Sequence, residues 1–195
     1  MHNFGGWAIQ ESCFNLIKEI LPEGKTILEM GSGYSTKALS QYYKMISIED
    51  QPEWVGSYNS NYIEAPIRNY SKNHINTVGL FETGTTSEAY TPPDLPGEAG
   101  ASVQKGWYNY EILKGELKGL KYDLILVDGP NGAIGRGGFL KHLNMFNTDI
   151  PIIFDDINRI AEKQMMIKVS EILNRPYKEL DHKDKSGNPY TGYIL

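Results

Sequence analysis

Five carboxylates stand where short apolar runs end: Glu29 after Ile27-Leu28, Glu49 after Met45 to Ile48, Asp128 after Leu124 to Val127, and Asp155-Asp156 after Ile150 to Phe154. The first acid opens the stretch Glu29-Met30-Gly31-Ser32-Gly33-Tyr34-Ser35-Thr36. Glycines there let the backbone turn tightly and let a ligand approach the main chain, and amides at a helix start can hold a carboxylate or phosphate. The dinucleotide fingerprint wants a third glycine where Thr36 stands, which disfavours NAD. Glu29 would repel a pyrophosphate but can bind an ammonium, directly or through water. Glu49, followed by Asp50, is placed to accept hydrogen bonds from both hydroxyls of a ribose, because one carboxylate accepts several donors. An amino acid joined to a nucleoside meets these demands, and S-adenosylmethionine is such a molecule.

Asp128 and Asp155-Asp156 form a second constellation. Two adjacent strand ends can converge three carboxyl oxygens on one point, a donor set that suits Mg²⁺. A cation there would lower the pKa of a substrate hydroxyl and make it nucleophilic. The plainer alternatives are that Asp128 caps the Gly129-Pro130 turn or meets the cofactor ammonium, and that Asp156 caps the following helix. Arg136, within Gly135-Arg136-Gly137-Gly138, can bind an anionic group of a substrate or stand as a solvated loop arginine. His142 is the runner-up general base, with a packing role as its alternative. Trp7, Trp107 and Tyr108 can wall a site or simply fill core, while His2, His74 and His182 show no ligand spacing. Lys183 to Lys185 reads as a solvated turn.

These residues need strands and helices to position them. Ile9, Cys13, Leu16, Ile17, Ile20 and Leu21 recur at helical spacing until Pro22 and Gly24, predicting an amphipathic helix. Lys25 to Met30 reads as a buried strand, and Ser35 and Thr36 are suited to cap a helix carrying Ala38, Leu39 and Tyr42. Met45 to Ile48 is a second strand, a third helix is expected near Pro52, and Tyr62 to Ala65 is a third strand closed by Pro66. The 82–106 segment, rich in Pro and Gly, predicts a mobile loop that is either a lid or without structure. Trp107 to Leu120 reads as helix, Asp123 to Val127 as strand, Phe139 to Leu143 as helix and Ile150 to Phe154 as strand. Met165, Met166, Val169, Ile172 and Leu173 mark a last helix. Tyr177 to Leu180 and Tyr190 to Leu195 form a closing hairpin turned at Ser186-Gly187-Asn188. Alternation of this kind predicts an α/β sheet, mostly parallel and covered on both faces. Ligands then bind beyond the carboxyl ends of the strands, where the strand order reverses.

Composition fits. A chain of 195 residues, 40% hydrophobic and 22% charged, is expected to be one domain spanning 1–195 with a sizeable core. Its net charge of −5 offers no field for a nucleic-acid backbone. Cys13 is the single cysteine, so neither an internal disulfide nor a Cys-rich zinc site is available and a reducing cytoplasm is expected. No run approaches the roughly 18 apolar residues of a membrane span. The expected partner is a small-molecule substrate, not nucleic acid or membrane; oligomeric state leaves no trace in the sequence.

The chain resembles a class I S-adenosylmethionine-dependent methyltransferase. Glu29 to Thr36 is similar to the glycine-rich first motif and Ile46 to Asp50 to the acidic second motif. Ser35 stands where a third glycine often occurs, and the Gly-x-Gly-x-Ser-Thr form is similar to that of many small bacterial members. The resemblance implies a Rossmann-like three-layer sandwich, a seven-stranded mostly parallel sheet with an antiparallel C-terminal strand. It implies cofactor contacts from Glu29, Gly31, Ser32, Gly33, Tyr34, Ser35, Glu49, Asp50 and Asp128. Asp128, Asp155 and Asp156 resemble the ligands of metal-dependent O-methyltransferases, some of them sugar-modifying. The expected activity is therefore methyl transfer from S-adenosylmethionine to an oxygen of a small hydroxylated metabolite, such as a sugar or an anionic compound, with Mg²⁺ assistance. The alternatives are a metal-free enzyme using Asp128 or His142 as base, and a non-catalytic nucleoside-binding domain.

Overall fold

A computed structural model describes residues 8–69 and 105–195. The readings on His2, Trp7, His74 and all but the last two residues of the 82–106 segment lie outside the described residues.

Helix α1 (Glu11–Ile20) buries Cys13, Phe14, Leu16 and Ile17 along one stripe, as the apolar spacing requires. Gly24, at a left-handed φ of 82°, turns the chain into strand β1 (Thr26–Met30). The short helix α2 (Tyr34–Leu39) leads to β2 (Lys44–Glu49), and β3 (Asn61–Glu64) follows. Next come β4 (Ile67–Asn69), β5 (Gly106–Tyr108) and α3 (Tyr110–Glu116). The second half holds β6 (Leu124–Val127), α4 (Gly138–Lys141), β7 (Ile152–Phe154), α5 (Ile160–Leu173), β8 (Tyr177–Glu179) and β9 (Gly192–Ile194).

The main sheet has seven strands in the order β3-β2-β1-β6-β7-β9-β8. Strands β3, β2, β1, β6 and β7 are all mutually parallel, and β9 runs antiparallel to both neighbours. This is the seven-stranded Rossmann-like sheet with an antiparallel last strand. Successive strand residues serve opposite faces. Thus Leu28, Met30, Ile125 and Val127 join a cluster with Trp107, Leu113, Phe139 and Met166. Ile27, Leu124, Leu126 and Ile153 join the one built on α1, Leu39 and Tyr43. Two cores and one sheet make three layers. Among the described residues no helix is long and apolar enough to cross a membrane.

Three local expectations are corrected. The stretch after Pro52 is a series of turns, with Trp54 and Ser57 amides bonding back to Gln51 and Trp54 carbonyls. Gly56 at φ 77° ends the series before a helix can propagate. Trp107 and Tyr108 are strand, not helix: they pair antiparallel with Arg68 and Ile67, in keeping with the β preference of aromatics. The helix starts only after Asn109, whose Oδ1 accepts the Glu111 amide at 3.1 Å. Finally, the N-cap position of α2 is Gly33. Ser35 and Thr36 lie inside the helix, although the Thr36 hydroxyl still accepts the Gly33 amide at 2.9 Å.

Candidate functional site

The strand order reverses between β1 and β6, whose neighbours β2 and β7 lie on opposite sides. The loops leaving β1 and β6 therefore part and open a crevice at their carboxyl ends. Gly31 sits at its edge with φ 83°, a conformation that only glycine adopts without cost.

Three amides of the glycine turn are already engaged. Gly31 donates to the Ile48 carbonyl at 2.8 Å, Ser32 to Glu49 Oε2 at 2.7 Å, and Gly33 to Thr36 Oγ1. The hydrogens of these three amides are spent on the fold. Glu49 also accepts the Asp50 and Gln51 amides on Oε1, both at 2.9 Å. Its carboxylate thereby locks the turn after β1 to the loop after β2. Burial raises its pKa, and the three amides oppose that. Oxygen lone pairs remain on Oε2 beyond the Ser32 bond. Asp50 is raised by burial as well.

Glu29 is 2% exposed. Its Oε1 accepts the Thr36 hydroxyl at 2.6 Å and the Ser47 hydroxyl at 2.5 Å. Burial pushes its pKa up to about 8 despite those two bonds. The protonated folded form thus persists while the unfolded chain ionises above about pH 4.5, so stability falls as pH rises between those two values. The slope reaches about 1.4 kcal/mol per pH unit at most. Glu29→Gln keeps an acceptor for both hydroxyls. Urea unfolding should show it close to wild type at pH 5 and more stable than wild type at pH 8; parallel pH profiles for the two proteins would remove Glu29 as the cause.

The Ser35 hydroxyl accepts the Ile9 amide at 2.8 Å. Tyr34 is 44% exposed; its ring meets Tyr58 at 6.3 Å, and Tyr58 stacks with Trp54 at 6.2 Å. The Ser32 hydroxyl lies 3.0 Å from that of Tyr62.

Asp128, Asp155 and Asp156 do converge: each offers an oxygen within 4.8 Å of the others. Asp156 follows β7 in a left-handed conformation, φ 60°, which costs a non-glycine residue about 1 kcal/mol or more. Arg136 holds this corner. It is 4% exposed and donates from Nη2 to Asp128 Oδ1 at 3.1 Å and Asp156 Oδ2 at 2.7 Å. Its Nη1 donates to the Asp155 carbonyl at 2.8 Å and its Nε to the Pro130 carbonyl at 3.4 Å. Four of its five N–H donors are thus engaged within the chain, which leaves one Nη1 hydrogen for the substrate anion expected at Arg136. Asp156 also pairs with Arg159 at 3.0 Å, and Thr191 donates to Asp155 at 3.4 Å. Burial raises Asp128 to about 6, Arg136 opposing and Asp156 assisting. Asp155 is raised well above the usual range by burial and then by its two acidic neighbours.

His142 is not with the acids. Its ring meets that of Tyr110 at 5.0 Å, tilted by 40°, and, with Arg68, Asn69, Trp107 and Tyr108, it lines a cavity of about 430 Å³. Burial, then Lys141, lowers its pKa to about 4, so it is neutral at pH 7 and a weak base. Sequence reasoning missed Thr36 and Ser47 as partners of Glu29, and Arg159 and Thr191 as partners of the aspartates. Only the seven-residue spacing from Glu29 to Thr36 carried any signal, as a turn folding back on its strand.

No family model matches the sequence, and no curated protein matches it. Solved structures overlap it at low identity. The O-methyltransferase TomG from Streptomyces achromogenes, in complex with S-adenosylmethionine, superposes with a TM-score of 0.47 at 13% identity, over 94% of this chain and 78% of that one. MycE methyltransferase, in complex with Mg, S-adenosylhomocysteine and mycinamycin VI, gives 0.42 at 10%, over 88% of this chain and 41% of that one. A methyltransferase from Aquifex aeolicus described as S-adenosylmethionine dependent gives 0.40 at 15%, over 95% and 88%. The functional reading rests on the sheet order and the side chains above, since overlaps of this depth assign neither family nor activity.

Proposed function

We propose that this chain is an S-adenosylmethionine-dependent methyltransferase acting on an oxygen of a small hydroxylated metabolite in the cytoplasm. One observation carries the reading. The sheet reverses its order between β1 and β6, and a glycine turn tied to a strand-end carboxylate lies at that point, with a strand-end aspartate cluster at the same rim. The lone Cys13, buried and free, supports a reducing compartment.

S-adenosylmethionine would supply the methyl group as a sulfonium. Glu49 would take the ribose hydroxyls on its remaining lone pairs, Gly31 would admit the ligand to the main chain, and Tyr34 and Asp50 would flank it. Gly33 and Ser35 would act through the shape of the turn, and Glu29 would hold that turn through Thr36 rather than touch the ligand. Transfer to oxygen asks for in-line placement of the acceptor and removal of its proton, which Asp128 would perform.

The donor set of Asp128, Asp155 and Asp156 fits Mg²⁺: three carboxyl oxygens lie close together. Bound there, Mg²⁺ would supply the Lewis acidity that lowers the pKa of a coordinated hydroxyl. A second, metal-free reading is favoured by Arg136, which already compensates Asp128 and Asp156. Loss of turnover with EDTA, restored by Mg²⁺, selects the first; indifference to EDTA selects the second.

The primary test is a thermal-shift titration with S-adenosylmethionine and, in parallel, NAD, each with and without Mg²⁺. A ligand at 100 times its Kd stabilises by about 2.7 kcal/mol, roughly 5–10 °C at this size. A shift with S-adenosylmethionine and none with NAD is expected. No shift with either would leave the glycine turn and its acids as scaffold.

A further inference from the structure

Resting on that reading, we infer that Tyr108 is a cofactor-binding residue whose hydroxyl donates to the carboxylate of the methyl donor's amino-acid group. The side chain is 1% exposed. Its hydroxyl has no hydrogen-bond partner among the described residues, a state that buried polar atoms rarely keep. The oxygen lies buried against the two loops that form the crevice: a Cβ built on Gly129 would stand 2.4 Å from it and 2.7 Å from the Gly31 amide nitrogen. Tyr108 therefore reaches from β5 to the place where the loops after β1 and β6 part, and Gly129 makes room for it.

The ligand's carboxylate needs donors there, and several of those nearest it are taken. The Gly31, Ser32 and Gly33 amides are bonded within the chain, and Arg136 is bonded to Asp128 and Asp156. Glu49, Asp50 and Asp128 around the crevice are acceptors that repel an anion. A neutral phenol can donate without adding charge, and a hydrogen bond to an ionised acceptor is among the stronger kinds. The ligand group lacking a donor and the protein donor lacking an acceptor meet in one crevice. Outside it, the same ring lines the cavity shared with His142, so Tyr108 stands between that cavity and the cofactor groove.

Tyr108→Phe tests this by calorimetric titration with S-adenosylhomocysteine and with 5′-methylthioadenosine, which lacks the amino-acid group. The variant should bind S-adenosylhomocysteine about 10-fold more weakly and 5′-methylthioadenosine as well as wild type does. Its ligand-free melting temperature should hold or rise, because deleting an unpartnered buried hydroxyl removes a desolvation penalty. Equal S-adenosylhomocysteine affinity in both proteins, or equal weakening for both ligands, would overturn the role of Tyr108 while the proposed function stands. Failure of the wild type to bind S-adenosylhomocysteine would overturn both.

Discussion

Asp128→Asn is expected to reduce methyl transfer by about 100-fold or more. The substitution keeps the shape of the side chain and an acceptor for Arg136 Nη2, but an amide neither takes a proton nor offers a charged oxygen. Loss of a positioned general base costs roughly 10²–10⁴ in rate. The two chemistries open at this rim predict the same loss, since Asp128 is both the candidate base and one of three candidate ligands. The measurement is transfer from methyl-labelled S-adenosylmethionine into a panel of small hydroxylated acceptors, with S-adenosylhomocysteine binding as the control for folding. Activity within a few-fold of wild type would take Asp128 out of the mechanism.

Arg136→Met should cost about 3–5 kcal/mol of stability. Removing one partner of a buried ion pair leaves the other charge uncompensated, which is far worse than never having had the pair. Here Asp128 and Asp156 would both lose Nη2, and the Asp155 and Pro130 carbonyls would lose their donors. The methionine fills much of the volume, so the measured loss reports charge and hydrogen bonding more than a cavity. Urea unfolding should show the deficit largest at neutral pH and smallest in acid, where the stranded Asp128 is protonated. Mg²⁺ supplies the second half of the test. If the three carboxylates hold a cation, its addition should return part of the lost stability, because binding to the folded state alone stabilises by mass action. A variant as stable as wild type would mean that the aspartates do not need Arg136; an unaltered deficit in Mg²⁺ would favour the metal-free reading.

Much of this fold was legible because apolar runs and turn residues are local signals. Leu124 to Val127 could only be a strand buried on both faces, and Asp184, with Ser186 to Asn188, could only be a turn, as its side chain holding the Ser186 and Asn188 amides bears out. Glu29, Glu49, Asp128, Asp155 and Asp156 could be placed at one rim because parallel strands separated by helices carry their ends to the same side. Trp107 and Tyr108 were misread since a two-strand pairing with Ile67 and Arg68 depends on a partner about 40 residues away in the chain, of which a local pattern holds no trace.

The same boundary divides the site. Residue types and strand ends were enough to propose a ligand class and to place the acidic rim and the candidate metal ligands, because carboxylate chemistry and sheet geometry do not depend on the packing around them. Which donors are still free was decided by the tertiary structure. Ile48, Glu49 and Thr36 take the amides of Gly31 to Gly33, Asp128, Asp156 and two carbonyls take four of the five Arg136 donors, and the Tyr108 hydroxyl is left without a partner among the described residues. Hydrogen bonding saturates, so the role of a polar side chain is settled by whichever partner the fold brings within 3 Å first.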